Sequence, residues 1–313
     1  MTDSLTDRVR GGLFGLLIGD ALGVPFEFRT AAQLPAVEEI DCVLPLGFRR
    51  SHRNAPAGAW SDDGAHALCL LASLLHCNTL DLSDLSNRLV DWLESGYLAV
   101  EGRVFDVGIQ TTRALNALRS GVPPERSGPA DERSNGNGAL MRVLPLALWH
   151  RGSDSDLIRD AARQSIITHG HVRSQICCAL YCMWARGSLQ RLQDPWAHAV
   201  QTVRTFAASD PDWLGELDDH IRPEQPAQGA GSGYVVDCLH SARLAMEQGC
   251  FADVIRHAIA LGNDTDTTAA VAGGIAGIRF GYSAIPTRWI DHLAATETVE
   301  ALAQPLLQRL EAG

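Results

Sequence analysis

Apolar residues recur three and four positions apart through most of this chain. In residues 64–76, GAHALCLLASLLH, Leu68, Leu71 and Leu75 share faces with Ala65 and Ala72 at helical spacing. The same pattern predicts helices near 84–98, 107–119, 138–150, 156–168, 172–186, 235–247 and 251–261. Alternating β-branched runs bounded by hairpin turns are hard to find, so the expected fold class is all-α. Segments 41–60, 121–137 and 222–233 are rich in Pro, Gly and polar residues and read as loops. None is long or repetitive enough to separate domains, and one domain over 1–313 is expected. Region 187–222 is the least informative, with Trp196 and Trp213 assigned to packing.

Glycine recurs every fourth residue in two helical segments, at Gly11, Gly15, Gly19 and Gly23 and at Gly273, Gly277 and Gly281. Each glycine inside a helix costs about 1 kcal/mol relative to alanine, so a compensating gain is expected. A four-residue repeat leaves a stripe without side chains along which another backbone can approach. Tight packing is the ordinary account. It would also carry the segment ending in Glu27 towards the one beginning at Asp264.

With 313 residues, 46% hydrophobic and 20% charged, the chain can bury a substantial core. A net charge of −11 argues against binding a nucleic-acid backbone, though metal ions or backbone amides could still neutralise a small anion. Asp3 and Asp7 come early, and Asp20 and several glycines interrupt the N-terminal apolar run, which does not resemble a secretory signal. No uninterrupted apolar stretch approaches the roughly 20 residues of a membrane span. Eight cysteines are too sparse for a disulfide scaffold, and Cys177, Cys178 and Cys182 read as buried, inert thiols of one helix. The expectation is a reduced, cytoplasmic protein that engages neither membrane nor nucleic acid.

Two acidic stretches each open a helix. In Trp60-Ser61-Asp62-Asp63-Gly64, Ser61 or Asp62 could cap the helix that follows, and first-turn acids favour the helix dipole. In Gly262-Asn263-Asp264-Thr265-Asp266-Thr267-Thr268, Asp264, Asp266 and Thr267 exceed what a cap needs. Carboxylates two apart in a turn, with a neighbouring hydroxyl, offer the oxygen ligands that hard cations such as Mg²⁺ favour. Four such carboxylates brought together could not all stay ionised without metal. Glu27, just past the first helix, is a third source.

The blocks GDALGVPFEF, WSDDGAHAL, SNGNGALMRVLPLAL, ITHGHV, GSGYVVDCL and LGNDTDTTAAVAGGIAG, in this order, resemble the ADP-ribosylglycohydrolase family. The resemblance implies an all-α domain with two Mg²⁺ (or Mn²⁺) ions at the base of a cleft. It makes Ser61, Asp62, Asp63, Asp264, Asp266 and Thr267 metal ligands, with Asp62, Asp63, Glu27 and Asp264 catalytic. Ser61 stands where the family usually has threonine and keeps the hydroxyl; Gly64 replaces a second threonine and withdraws that support. Ser134, Asn135, Gly136, Asn137, Gly138 and Met141 would form the ADP-ribose stretch, with His169 and Tyr234 lining the cleft. Asp106 would orient an arginine guanidinium, for which a carboxylate suits the planar donor fork, and Ile109 stands where some relatives carry asparagine.

The implied reaction is hydrolysis of the bond between ADP-ribose and a modified side-chain nitrogen, most simply that of arginine, in a mono-ADP-ribosylated protein. Glu27 or one of the aspartates would serve as general base. The alternative is a protein that binds ADP-ribose, or confers immunity by occluding an ADP-ribosyltransferase toxin.

Overall fold

The computed structural model describes residues 4–311; Asp3 lies outside them. Its α-helices in chain order are α1 (Leu5–Gly23), α2 (Asp62–Cys77), α3 (Leu82–Ser95), α4 (Ile109–Arg119), α5 (Leu144–Trp149), α6 (Asp154–Ser165) and α7 (Val172–Leu189). After these come α8 (Pro195–Ala207), α9 (Pro211–Gly215), α10 (Val235–Ala245), α11 (Phe251–Ala260), α12 (Thr265–Phe280), α13 (Thr287–His292) and α14 (Thr296–Glu311). Among the described residues, extended pairing is limited to two isolated bridges, Thr30 with Gly262 and Gly136 with Tyr234. The protein is all-α, as the periodicity predicts.

Local chemistry sets the helix boundaries. Ser61 caps α2, its hydroxyl accepting from the Asp63 amide at 3.2 Å, and Asn78 ends that helix at a φ of 53°. Asp81 caps α3 through the Asp84 amide at 2.9 Å, and Gly96 closes it with a φ of 72°. The helix expected over 138–150 forms only from Leu144 to Trp149. Pro145 suits a helix start and cannot supply an interior N–H. Upstream, buried Arg142 holds the turn with hydrogen bonds to the Gly138 carbonyl (3.1 Å), the Thr168 hydroxyl (2.7 Å) and Gln164. Region 187–222 contains α8, α9 and a wide helical turn over Glu216–Ile221.

The glycine stripes explain the centre of the molecule. A Cβ placed on Gly11 would lie 2.2 Å from the Gly277 carbonyl oxygen, one on Gly15 2.2 Å from that of Gly273, and one on Gly19 2.1 Å from that of Ala269. Helices α1 and α12 are therefore antiparallel and packed backbone against backbone, closer than side chains permit. By length and composition α1 could cross a membrane; nearly all of it is buried inside this fold. One continuous hydrophobic cluster extends from Val9 to Leu306 around this pair. Cys177, Cys178 and Cys182 lie in it as expected, and burial pushes the Cys178 thiol up to about 12.

Candidate functional site

Antiparallel packing delivers the C-terminal end of α1 to the N-terminal end of α12. A Cβ on Gly23 would lie 2.4 Å from the Asp266 Cα, and the Thr265 hydroxyl donates to the Gly23 carbonyl at 2.8 Å. The chain then turns through Val24–Phe26 to Glu27. The Phe28 amide donates to the Asn263 carbonyl at 2.7 Å, and Thr30 bridges Gly262. Glu27 is thus tied to the loop that carries Asp264, as the glycine pattern anticipates.

Helix α2 is brought in by a residue that sequence reasoning did not assign. Asp20 of α1 accepts the Ser61 amide at 2.9 and 3.0 Å and the Gly64 amide at 2.8 Å. Its carboxylate satisfies two donors at the start of α2, as a cap supplied from another helix. Burial pushes its pKa up to about 7, opposed by those same hydrogen bonds. One signal could have marked it: a single acid beside Gly19 in the otherwise apolar stretch from Gly11 to Gly23.

The three acidic segments meet. Ligand oxygens of Glu27, Asp264 and Asp266 all lie within 4.8 Å of one another. The Thr267 hydroxyl donates to Asp63 Oδ1 at 3.2 Å, and Asn137 Nδ2 donates to Asp264 Oδ2 at 2.8 Å. Glu27, Asp62, Asp63 and Asp266 are each at most 4% exposed. Among the described residues, no arginine or lysine forms an ion pair with Asp62, Asp63, Asp264 or Asp266. Burial, then mutual repulsion, holds the carboxyl groups of Asp62, Asp63 and Asp266 well above the usual carboxylate range and pushes Glu27 up to about 8. Asp63 Oδ2 and Asp266 Oδ2 are buried with no hydrogen-bond partner. Unpartnered carboxyl oxygens in a pocket rich in carboxylates fit a hard divalent cation, which would let them ionise.

Above them lies a cleft of about 220 Å³. Glu27, Asp62, Asp63, Asp106, Gly136, Asn137, Gly138, Met141, His169, Asp264 and Thr267 line it, joined by Gln110 and Thr111, which the sequence did not single out. Ser61 and Asp266 are buried and outside that lining. Ser134 and Asn135 also stand back from the cleft, bonded to Asp131 (2.7 Å) and to the Ser174 hydroxyl (3.1 Å). Tyr234 does not line it either; its hydroxyl accepts from Arg173 at 3.1 Å, and its backbone bridges Gly136.

The glycines at 136 and 138 let His169 reach the cleft wall: a Cβ on Gly138 would lie 2.8 Å from His169 Cε1. The Thr168 hydroxyl, which accepts from Arg142, lies 2.9 Å from His169 Nδ1. With the Thr168 hydroxyl donating its hydrogen bond to an unprotonated Nδ1, the ring carries its own proton on Nε2, a donor on the cleft side. Burial, then the Arg142 charge, lowers the imidazole to about 3, so the ring is neutral at neutral pH.

A family model described as ADP-ribosylglycohydrolase matches residues 1–313. The chain belongs to the ADP-ribosylglycohydrolase family. It is 34% identical over 310 residues to a protein of Pseudomonas putida (strain GB-1) named ADP-ribosylarginine hydrolase Tri1, covering 97% of this chain and 78% of that one. A protein of the same name from Serratia proteamaculans (strain 568) is 32% identical, with 96% and 79% covered. The ADP-ribosyl-[dinitrogen reductase] glycohydrolase of Rhodospirillum rubrum is 29% identical, with 93% and 91% covered. A solved structure titled ADP-ribosylglycohydrolase-related protein complex superposes with a TM-score of 0.78 at 30% identity, covering 98% of this chain and 99% of that one.

This ADP-ribosylglycohydrolase departs from the expected pattern at Gly64 without leaving a gap. A Cβ there would lie 2.7 Å from Trp60 Cβ and 2.8 Å from Leu17 Cδ2. The Trp60 ring, anchored by its indole N–H to the Leu98 carbonyl at 3.0 Å, fills that space. His52 is a further residue outside the sequence expectations: its ring bonds the Glu27 carboxylate, and a ligand atom of each of Glu27, His52 and Asp106 lies within 4.8 Å of the others.

Proposed function

We propose that this enzyme removes ADP-ribose from arginine side chains of mono-ADP-ribosylated proteins, using two divalent cations, Mg²⁺ or Mn²⁺. The observation that carries the reading is the convergence of Asp62 and Asp63 with Asp264 and Asp266 beneath one cleft, with two buried carboxylate oxygens unpartnered. Likeness to two proteins named as ADP-ribosylarginine hydrolases supports arginine as the linkage. Ser61, Asp62, Asp63, Asp264, Asp266 and Thr267 would hold the cations, whose Lewis acidity acidifies a water molecule and polarises the ribose hydroxyls.

The remaining roles belong to the chain itself. Glu27, at the edge of the cluster, accepts the proton of the attacking water. Asp106 takes paired hydrogen bonds from the guanidinium, which holds the leaving nitrogen in line. His169 Nε2 donates to a ligand oxygen, and Gly136 and Gly138, lacking side chains, let that ring stand against the ADP-ribose side of the cleft. Ser134, Asn135 and Tyr234 brace the Asn137 loop, and Met141 supplies an apolar wall. The natural partner of such an enzyme is an ADP-ribosyltransferase, a toxin included, whose modification it reverses.

Incubation with substrates mono-ADP-ribosylated on arginine, serine or glutamate tests this. ADP-ribose should be released from arginine, stop with a chelator and resume with Mg²⁺ or Mn²⁺. Absence of release from arginine, or release indifferent to the chelator, would overturn the proposal.

A further inference from the structure

Next to Glu27 and Asp106, which line the cleft, lies a group of aromatic rings with no part in the proposed reaction. Phe28 follows Glu27, Phe105 precedes Asp106, and the His52 ring sits between the two phenyl rings, with centroids 5.5 Å from Phe28 and 5.1 Å from Phe105. The His52 ring also bonds the Glu27 carboxylate. Three residues here have left-handed backbone: Phe28 at a φ of 62°, His52 at 46° and Asp106 at 55°. For residues other than glycine this conformation is uncommon, and it persists only where surroundings enforce it. At Phe28 the enforcing contact is its amide bond to the Asn263 carbonyl. The result is a phenyl ring left 69% exposed beside the buried carboxyl group of Glu27 and close to the half-buried one of Asp106.

The exposed Phe28 face, adjoining two acids, makes poor surroundings for an anion and favourable ones for a planar cation. A guanidinium is such a cation: it is weakly hydrated, stacks on aromatic faces and donates a fork of hydrogen bonds to carboxylates. Resting on the function proposed above, we infer that the Phe28–His52–Phe105 ring cluster, its planes tilted by 48° and 47°, is the lip that receives the guanidinium and methylene stem of the modified arginine. The cluster reads the amino-acid side of the scissile bond, and the Gly136–Gly138 side of the cleft reads the ADP-ribose. Asp106 then fixes the head of the guanidinium while the Phe28 ring covers its face.

The test compares the full chain with Phe28→Ala and Phe28→Leu, the second keeping apolar bulk without a π face. An ADP-ribosylarginine peptide is the substrate, and free ADP-ribose is the competitive inhibitor. Both variants should raise KM about fivefold or more, the alanine variant more than the leucine. The kcat should stay within about twofold and the inhibition constant of ADP-ribose should not move, the signature of lost binding to one part of the substrate. An unchanged KM in both variants, or a KM and an inhibition constant that rise together, overturns the lip while leaving the hydrolase reading intact. Failure of the unaltered chain to release ADP-ribose from the peptide overturns the hydrolase reading, and the lip with it.

Discussion

Gly15 and Gly273 face each other so closely that a Cβ on either would lie 2.2 Å from the other's carbonyl oxygen. This contact sits midway along the α1–α12 pair, whose far end holds Glu27, Asp264 and Asp266 together. A clash with backbone cannot be relieved by a rotamer change, so the helices must separate. Gly15→Ala should cost on the order of 2–3 kcal/mol of stability in chemical denaturation and weaken Mn²⁺ binding measured on the folded fraction. A variant as stable as the parent would mean that the helices tolerate side chains at their contact.

Asp20 links the helix pair to α2. Asparagine keeps the shape but offers one acceptor oxygen and a donor facing the Ser61 or Gly64 amide. Asp20→Asn should therefore lose about 1–3 kcal/mol and lower metal affinity together with kcat/KM, although Asp20 does not line the cleft. Titration calorimetry with Mn²⁺ checks the coupling; normal affinity in a destabilised variant would confine Asp20 to folding.

The raised carboxyl groups make the metal-free protein sensitive to alkali. Glu27 is pushed up to about 8, and Asp20 and Asp106 to about 7, by burial first in each case. From about pH 6.5 to 8.5 the unfolded chain has already released these protons, at its ordinary carboxyl pKa values, while the folded chain still holds part of them. The folded state binds more protons, so its stability falls as pH rises through that window. Buried histidines with lowered pKa, such as His169, pull the other way below this window and at its foot, until the unfolded imidazole has lost its proton. Thermal unfolding with a chelator should show a lower midpoint at pH 8.5 than at 6.5, and saturating Mg²⁺ should narrow the gap. A midpoint that rises with pH in the chelator would contradict this picture.

Gly64→Thr would supply the threonine usual in the family. Because Trp60 and Leu17 occupy the space around a Cβ at 64, the substitution should cost about 1–3 kcal/mol and weaken metal binding rather than strengthen it. Denaturation and Mn²⁺ titration of the variant measure both. A gain in either would show that Trp60 yields easily.

The sequence makes some of this legible and hides the rest for physical reasons. Most helices, the α1–α12 contact and both acidic turns follow from local spacing, because helical period and glycine recurrence are written within a few turns. Asp20 and His52 act across 41 and 25 residues of chain, on Ser61 and Glu27, and no local pattern encodes such pairing. The shortened α5 reflects the hydrogen bonds that buried Arg142 forms with Gln164 and Thr168, a tertiary demand that overrides the apolar period of 138–150. Tyr234 matches a family block, yet its hydroxyl turns to Arg173, whose guanidinium is held by Glu216 at 2.6 Å from a stretch the pattern left unread.

Anomalous diffraction from crystals equilibrated with Mn²⁺ tests the central claim most directly. Two peaks are expected, both within bonding distance of oxygens from Asp62, Asp63, Asp264 or Asp266, and neither should appear in crystals of Asp264→Ala. An empty cleft at high Mn²⁺, or peaks confined to other acidic surfaces, would contradict the account.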